Sequence, residues 1–172
     1  MTHDIIGTLR ADDDRRAVTL ERTYDTPSKD LWSALTEPDR LARWFARVEG
    51  DFTVDGTFCV YFDDEDPDER TIGQVRRCDA PHRLEVTWYC GDEGETVVTA
   101  ELAADGPGTR LTLTHSRLPV SAAVGYGAGW QTYFEQLAAD LADEKAHGAA
   151  WDRRWEELRP AYQAQADALG PV

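Results

Sequence analysis

Hydrophobic and polar residues alternate through the middle of the chain with the period of two that is typical of strands. The pattern begins with one strand between Ala17 and the turn at Pro27. From about residue 47 to residue 116 it continues through six more short segments, separated by turn sequences such as Ala80-Pro81 and Gly91-Asp92-Glu93-Gly94. Connections this short require antiparallel pairing. The sequence therefore predicts an antiparallel sheet of seven strands.

Three of these strands show which face of the sheet is buried. In residues 84–88, 98–102 and 111–115, every second position is apolar or His, and the positions between them are Glu or Thr. The predicted inward side chains are Leu84, Val86, Trp88, Val98, Ala100, Leu102, Leu111, Leu113 and His115. This pattern indicates a sheet with one packed face and one solvated face.

The period changes to that of a helix on either side of these strands. Two short amphipathic helices are predicted after Pro27 and from Pro38, a residue suited to a first helical position. Within residues 121–143, apolar residues three and four apart form one stripe and predict a longer helix. That stripe consists of Trp130, Tyr133, Phe134, Leu137, Ala138 and Leu141. We expect the long helix to cover the packed face of the sheet.

A last helical stripe lies near the C-terminus, in residues 149–169. It consists of Trp151, Trp155, Leu158, Tyr162 and Leu169. Pro160 lies within it and predicts a kink or a two-part helix. An isolated helix of about 20 residues is marginal in water. We therefore expect this tail to pack on the domain's own surface, with a dimer interface as the alternative.

The chain is long enough for about one domain. The patterns divide it into a polar lead-in of residues 1–16, an α+β domain of residues 17–145 and a C-terminal helical extension of residues 146–172.

Several short pieces occur in the order that is typical of one family. They are LERTYDTPSKDLWSALTEPDRLARWFA, Gly73-x-Val75, Pro81-x-x-Leu84-x-x-x-Trp88, Gly108-Thr109-x-Leu111-x-Leu113-x-His115 and Gly129-Trp130. Over about residues 17–143, the chain resembles the activator-of-heat-shock-protein-90-ATPase-like family of the START-like (SRPBCC) superfamily. The resemblance implies a helix-grip fold, in which a curved seven-stranded sheet wraps around a long helix, often with a cavity between them.

Aromatic side chains are expected to meet between the sheet and the helices. They are Trp44, Phe45, Trp88, Tyr126, Trp130, Tyr133 and Phe134. Apolar pockets with a few polar groups bind apolar or aromatic small molecules, and buried Tyr hydroxyls need partners. The alternative is that these rings fill a closed core.

His115 is predicted on the same packed face, near the long helix. Its imidazole could bond to a ligand or act as a general base. The alternative is a core histidine bonded to the backbone, and the sequence identifies no second catalytic partner.

Other motifs predict no metal and no cofactor. Counted from Asp64, the acidic run of residues 63–69 lacks the Gly and Glu that an EF-hand loop requires at its sixth and twelfth positions. The run Gly125-x-Gly127-x-Gly129 lacks the βαβ context of a dinucleotide site. We place these glycines before the long helix, where they would let the chain pass close to a cavity mouth or break the helix.

The net charge limits the classes of binding partner, and the cysteine content indicates the cellular compartment. The 33 acidic and 18 basic residues give a net charge of −15, which argues against binding to nucleic acid and to anionic membranes. The three cysteines are Cys59, Cys78 and Cys90; they form no C-x-x-C pair, and no signal peptide is evident. We therefore expect a cytoplasmic protein with reduced thiols, present as a monomer or homodimer.

These observations favour a non-catalytic binder of an apolar or aromatic small molecule or lipid-like metabolite. Its predicted ligand-binding residues are the seven aromatic residues above together with His115. One alternative is a polyketide cyclase- or dehydratase-like enzyme, as in some superfamily members, with His115 as base and Tyr133 as hydrogen-bond donor. Another is a chaperone-associated module of the stress response, as the family name implies, which would use the protein's surface.

Overall fold

The computed structural model describes residues 5–63, 65–66, 68–89, 91–144 and 148–172. Cys90, Asp64 of the acidic run and the expected boundary between residues 145 and 146 lie outside the described residues.

Over the described residues, eight strands form one antiparallel sheet in the order β1-β2-β8-β7-β6-β5-β4-β3. The strands are β1 (Gly7–Asp12), β2 (Arg15–Tyr24), β3 (Arg47–Gly50), β4 (Thr57–Tyr61), β5 (Arg70–Asp79), β6 (Arg83–Tyr89), β7 (Glu95–Asp105) and β8 (Gly108–Leu118). The helices are α1 (Ser28–Thr36), α2 (Pro38–Trp44), α3 (Ala123–Leu141) and α4 (Gly148–Leu169).

The eighth strand corrects the expectation of seven. It is β1, which lies in the stretch assigned to a polar lead-in and forms a hairpin with β2, pairing Gly7 with Leu20. In β1 only Gly7 and Leu9 are buried, while most of the side chains around them are exposed. One glycine and one leucine are too few apolar positions to reveal a strand by alternation.

The predicted faces of the central strands are confirmed, since all nine inward residues from Leu84 to His115 are buried. The helix α3 packs on this face of the sheet. Phe134 and Leu137 are buried on its inner side, and the carbonyl oxygen of Phe134 accepts a 3.0 Å hydrogen bond from the Tyr24 hydroxyl of β2. This is the α+β helix-grip arrangement that the sequence predicts.

The helix α4 packs on α3 and on the edge strand β1. Leu158 and Tyr162 are fully buried on either side of Pro160, and the helix runs unbroken through that proline. The two-part alternative for this helix was therefore wrong. Packing of the flanking side chains offsets the hydrogen bond that proline removes from a helix.

Side chains of α4 also satisfy the free edge of the sheet. Gln165 accepts a 2.8 Å bond from the backbone N–H of Leu9 and donates a 3.0 Å bond to the carbonyl oxygen of Gly7. Beyond the helix, the carbonyl oxygen of Gly170 accepts a 2.8 Å bond from the buried guanidinium of Arg16. An unpaired edge strand is prone to pair with other chains, and α4 covers this one.

The glycine run explains how α4 comes so close. Gly125, Gly127 and Gly129 lie inside the first turns of α3 and not before it, which corrects the sequence interpretation. A Cβ at Gly127 would lie 2.6 Å from Cδ1 of Tyr162, whereas a Cβ at Gly125 would lie 3.7 Å from Cζ2 of Trp155. Gly127 therefore leaves the space that the Tyr162 ring occupies, while Gly125 has room for a methyl group.

Substitution of the two glycines by alanine is expected to have opposite effects on stability. Gly127→Ala should lower the free energy of unfolding by about 1–2 kcal/mol, because overpacking costs about 1–3 kcal/mol and exceeds the gain in helix propensity. Gly125→Ala is the matched control and should raise that free energy by about 0.5–1 kcal/mol. Urea unfolding measures the free energy of unfolding of both variants. Equal changes in the two variants would contradict the role proposed for Gly127 in accommodating Tyr162.

Candidate functional site

An open cleft of about 1360 Å³ lies between the sheet, α2, α3 and α4. Pockets for small molecules commonly measure about 300–1,000 Å³, so the cleft is large enough for one. Its aromatic lining comes from all four parts of the fold: Trp44, Phe45, Phe62, Trp88, Tyr126, Trp130, Tyr133, Trp151 and Trp155.

The rings of the lining form a connected series. At its centre, Phe45 stacks on Trp130 with 5.9 Å between ring centroids and 5° between planes, and it meets Tyr133 edge-on at 4.7 Å. Tyr133 in turn lies 5.3 Å from Trp151, which stacks on Trp155 at 6.1 Å. The series runs from the end of α2 across α3 to α4, and it presents aromatic surface along the cleft.

Most of the predicted ligand-binding residues line this cleft: Trp44, Phe45, Trp88, Tyr126, Trp130 and Tyr133. Phe134 does not, because its ring lies in the core, 6.3 Å from that of Tyr24. Successive residues of an α-helix are separated by about 100° around its axis. Tyr133 and Phe134 are therefore on different sides of α3, and only Tyr133 is directed to the cleft.

His115 also lies outside the cleft lining, fully buried behind it. Its Nδ1 accepts a 3.0 Å bond from the indole N–H of Trp130, and its Nε2 is 2.7 Å from the hydroxyl oxygen of Thr96. That hydroxyl donates a 2.6 Å bond to the carbonyl oxygen of Trp88. Since an indole N–H can only donate, His115 must be neutral with its proton on Nε2.

This network argues against His115 as a general base. Both ring nitrogens already have partners, and burial lowers the pKa of His115 from 6.5 to about 3. A general base needs a free lone pair within reach of the substrate proton. The arrangement is that of a core histidine holding Trp130 in place, although its partners are side chains where the sequence interpretation expected backbone.

Three aromatic residues of the lining were missed in the sequence analysis. Trp151 and Trp155 belong to the apolar stripe of residues 149–169. That stripe predicts that the helix packs against another part of the protein, but it does not show which part. Phe62 follows β4 and is 46% exposed, with its ring 5.7 Å from Phe45 and 6.1 Å from Trp88. A single phenylalanine after a short strand carries no periodic signal.

Two findings concern other kinds of site. Among the described residues, no group of three His, Cys, Asp or Glu side chains is arranged to hold a metal ion. In the same part of the chain, no helix combines the length and apolar composition that a membrane span needs.

Comparison with known proteins identifies the family. Residues 25–142 match the family described as "Activator of Hsp90 ATPase homolog 1-like protein". The chain belongs to this family. The resemblance seen in the sequence, to this family and its START-like (SRPBCC) superfamily, is confirmed. The matched segment ends at the C-terminus of α3 and does not include α4.

Solved structures share the fold across most of the chain. CalU16 from Micromonospora echinospora is 26% identical, with a TM-score of 0.76 over 94% of this chain and 96% of that one. DynU16, of the dynemicin biosynthetic locus, is 26% identical, with a TM-score of 0.65 over 76% of this chain and 48% of that one. A protein from Enterococcus faecalis, EF2215, is 21% identical with a TM-score of 0.75, over 95% of this chain and 91% of that one, and shows the fold alone. No protein with a curated description matches the sequence significantly.

The buried histidine predicts a specific pH dependence of stability. In the unfolded chain His115 takes up a proton below about pH 6.5, whereas in the folded protein it does so only near pH 3. The stability lost through this group therefore grows as the pH falls from about 6.5 to about 3, at up to about 1.4 kcal/mol per pH unit. His115→Gln removes the titrating group and should make the slope of unfolding free energy against pH shallower in that window. An unchanged slope, measured by urea unfolding at each pH, would show that His115 takes up its proton over the same pH range in the folded and the unfolded protein.

Proposed function

We propose that this protein binds an apolar or aromatic small molecule in the cleft between the sheet, α2, α3 and α4. The observation that carries the proposal is a cleft of about 1360 Å³ whose wall includes a connected series of aromatic rings. Burial of a ligand among these rings would supply both hydrophobic and aromatic contact energy.

Charge and family support the same proposal. With a net charge of −15, the protein repels anions at long range, which disfavours an anionic ligand. A relative of the same fold, DynU16, comes from a biosynthetic locus, and a small-molecule ligand suits that setting.

The two alternatives from the sequence have less support. A cyclase or dehydratase that uses His115 as base is disfavoured, because both imidazole nitrogens are occupied behind the cleft wall. A chaperone partner rests on the family name alone, and fold membership does not fix function. The cleft is the feature that carries a specific chemistry, and it favours a small-molecule binder.

Phe62 offers a direct test, since it lines the cleft yet is 46% exposed. We expect N-phenyl-1-naphthylamine, a neutral aromatic probe whose fluorescence rises in apolar surroundings, to bind with one-to-one stoichiometry. Phe62→Ala should weaken that binding about threefold to tenfold, because one aromatic contact contributes about 0.5–1.5 kcal/mol. Its effect on stability should stay within about 0.5 kcal/mol.

The matched control is Ile72→Ala. Ile72 is 39% exposed on β5 and does not line the cleft, so its removal should leave the affinity for the probe unchanged. Absence of saturable binding to the unaltered protein would contradict the proposed function. Equal losses in the two variants would place the probe outside the cleft.

A further inference from the structure

The hydrogen-bond donors around the cleft fall into two groups. Four indole N–H groups donate hydrogen bonds of 3.0–3.2 Å to acceptors within the protein. Trp44 and Trp155 donate to the carbonyl oxygens of Ala34 and Gly125. Trp88 donates to the Tyr126 hydroxyl, and Trp130 donates to Nδ1 of His115. The indole N–H of Trp151 is buried and has no hydrogen-bond partner among the described residues. The side chain of Tyr133 lies beside it in the lining of the cleft.

These two donors belong to one wall of the cleft. Tyr133 is on α3 and Trp151 on α4, with 5.3 Å between their ring centroids. Phe45 lies 4.7 Å from Tyr133 on one side, and Trp155 stacks on Trp151 at 6.1 Å on the other. Buried donors without acceptors are uncommon in protein interiors, and the unpartnered indole N–H of Trp151 in the wall of an aromatic site indicates an acceptor on the ligand.

We infer that Tyr133 and Trp151 determine ligand specificity, by donating hydrogen bonds to a neutral carbonyl oxygen on a planar aromatic ligand. The inference rests on the proposed function and names the chemical class of its ligand. Tyr133 is the first donor, because its side chain lines the cleft, whereas the Trp151 nitrogen is fully buried in the wall. Trp151 is the second donor, because its indole N–H has no acceptor among the described residues.

The electrostatics of the wall select a neutral acceptor over an anionic one. Burial raises the pKa of Tyr133, and the nearby carboxylate of Asp152 raises it further. The hydroxyl therefore keeps its proton and donates. Asp152 also lines the cleft, and the two arginines of the lining, Arg43 and Arg159, are paired with Asp140 and Glu156. A carboxylate or phenolate ligand oxygen beside Tyr133 would therefore meet the like charge of Asp152.

A matched pair of probes tests the inference: 9-fluorenone, which has one carbonyl, and fluorene, which has the same three rings without it. The unaltered protein should bind fluorenone about fivefold more tightly than fluorene, as one net hydrogen bond predicts. Tyr133→Phe should remove most of that preference and leave fluorene affinity within about twofold. Trp151→Phe should reduce the preference less. Titration by quenching of tryptophan fluorescence gives the affinities.

Two further measurements separate a hydrogen bond from a loss of structure. Tyr89→Phe is the control, since it makes the same chemical change at an exposed tyrosine that does not line the cleft, and it should preserve the preference. The infrared carbonyl stretch of bound fluorenone should lie at lower frequency in the unaltered protein than in Tyr133→Phe.

The outcomes distinguish this inference from the function on which it rests. Equal affinity for the two probes in the unaltered protein would overturn the inference and leave the proposed binding function intact. An undiminished preference for fluorenone in Tyr133→Phe, with an unshifted carbonyl band, would also overturn it. Absence of binding by both probes would overturn the inference and the proposed function together.

Discussion

The position of a single ring, that of Tyr162, holds the C-terminal helix in place. The ring lies between α3 and β1 at two glycines, where a Cβ on Gly127 would come within 2.6 Å of its Cδ1 atom and a Cβ on Gly7 would overlap its hydroxyl. The same hydroxyl donates a 2.6 Å bond to Gln131 of α3 and accepts a 3.1 Å bond from the N–H of Gly7. One side chain thus links the long helix, the edge strand and the tail.

Because Tyr162 fixes the position of α4, side chains near both ends of this helix are also held in place. Toward its C-terminus, Gln165 completes the hydrogen bonds of the sheet edge. Toward its N-terminus, Trp151 and Trp155 face α3 and form the outer wall of the cleft. The segment that matches the family, residues 25–142, supplies the inner wall. A change in α4 can therefore alter ligand recognition without disturbing the core of the sheet.

Sequence patterns predicted the parts of this structure that repeat. Strand alternation placed Leu84 to His115 on the buried face, and spacings of three and four identified α3. What the patterns missed depends on single residues or on contacts between distant segments. The edge strand β1 buries only Gly7 and Leu9, so alternation was too weak to show it. Phe134 was predicted to bind the ligand together with its neighbour Tyr133. Both residues belong to the apolar stripe of α3, and the stripe alone does not show which of them faces the core and which faces the cleft.

The glycine run and His115 show a second limit of sequence reasoning. Gly127 has a role only because Tyr162 lies opposite it, 35 positions later in the chain. His115 looked available for chemistry because its partners, Thr96 and Trp130, come from another strand and from α3. Neither set of contacts can be predicted from the residues that flank Gly127 or His115 in the sequence.

The polar groups of the core and of the cleft therefore have different roles. In the network from Trp130 through His115 and Thr96 to the carbonyl of Trp88, each donor meets an acceptor. A satisfied buried network of this kind is rigid and specifies one arrangement of side chains, so it fixes the inner wall. The indole N–H of Trp151, which has no acceptor among the described residues, lies beside Tyr133 where α3 meets α4. Chemical selectivity in this fold is thus placed at the junction between the sheet domain and its C-terminal helix, the part of the cleft wall that the family segment alone does not complete.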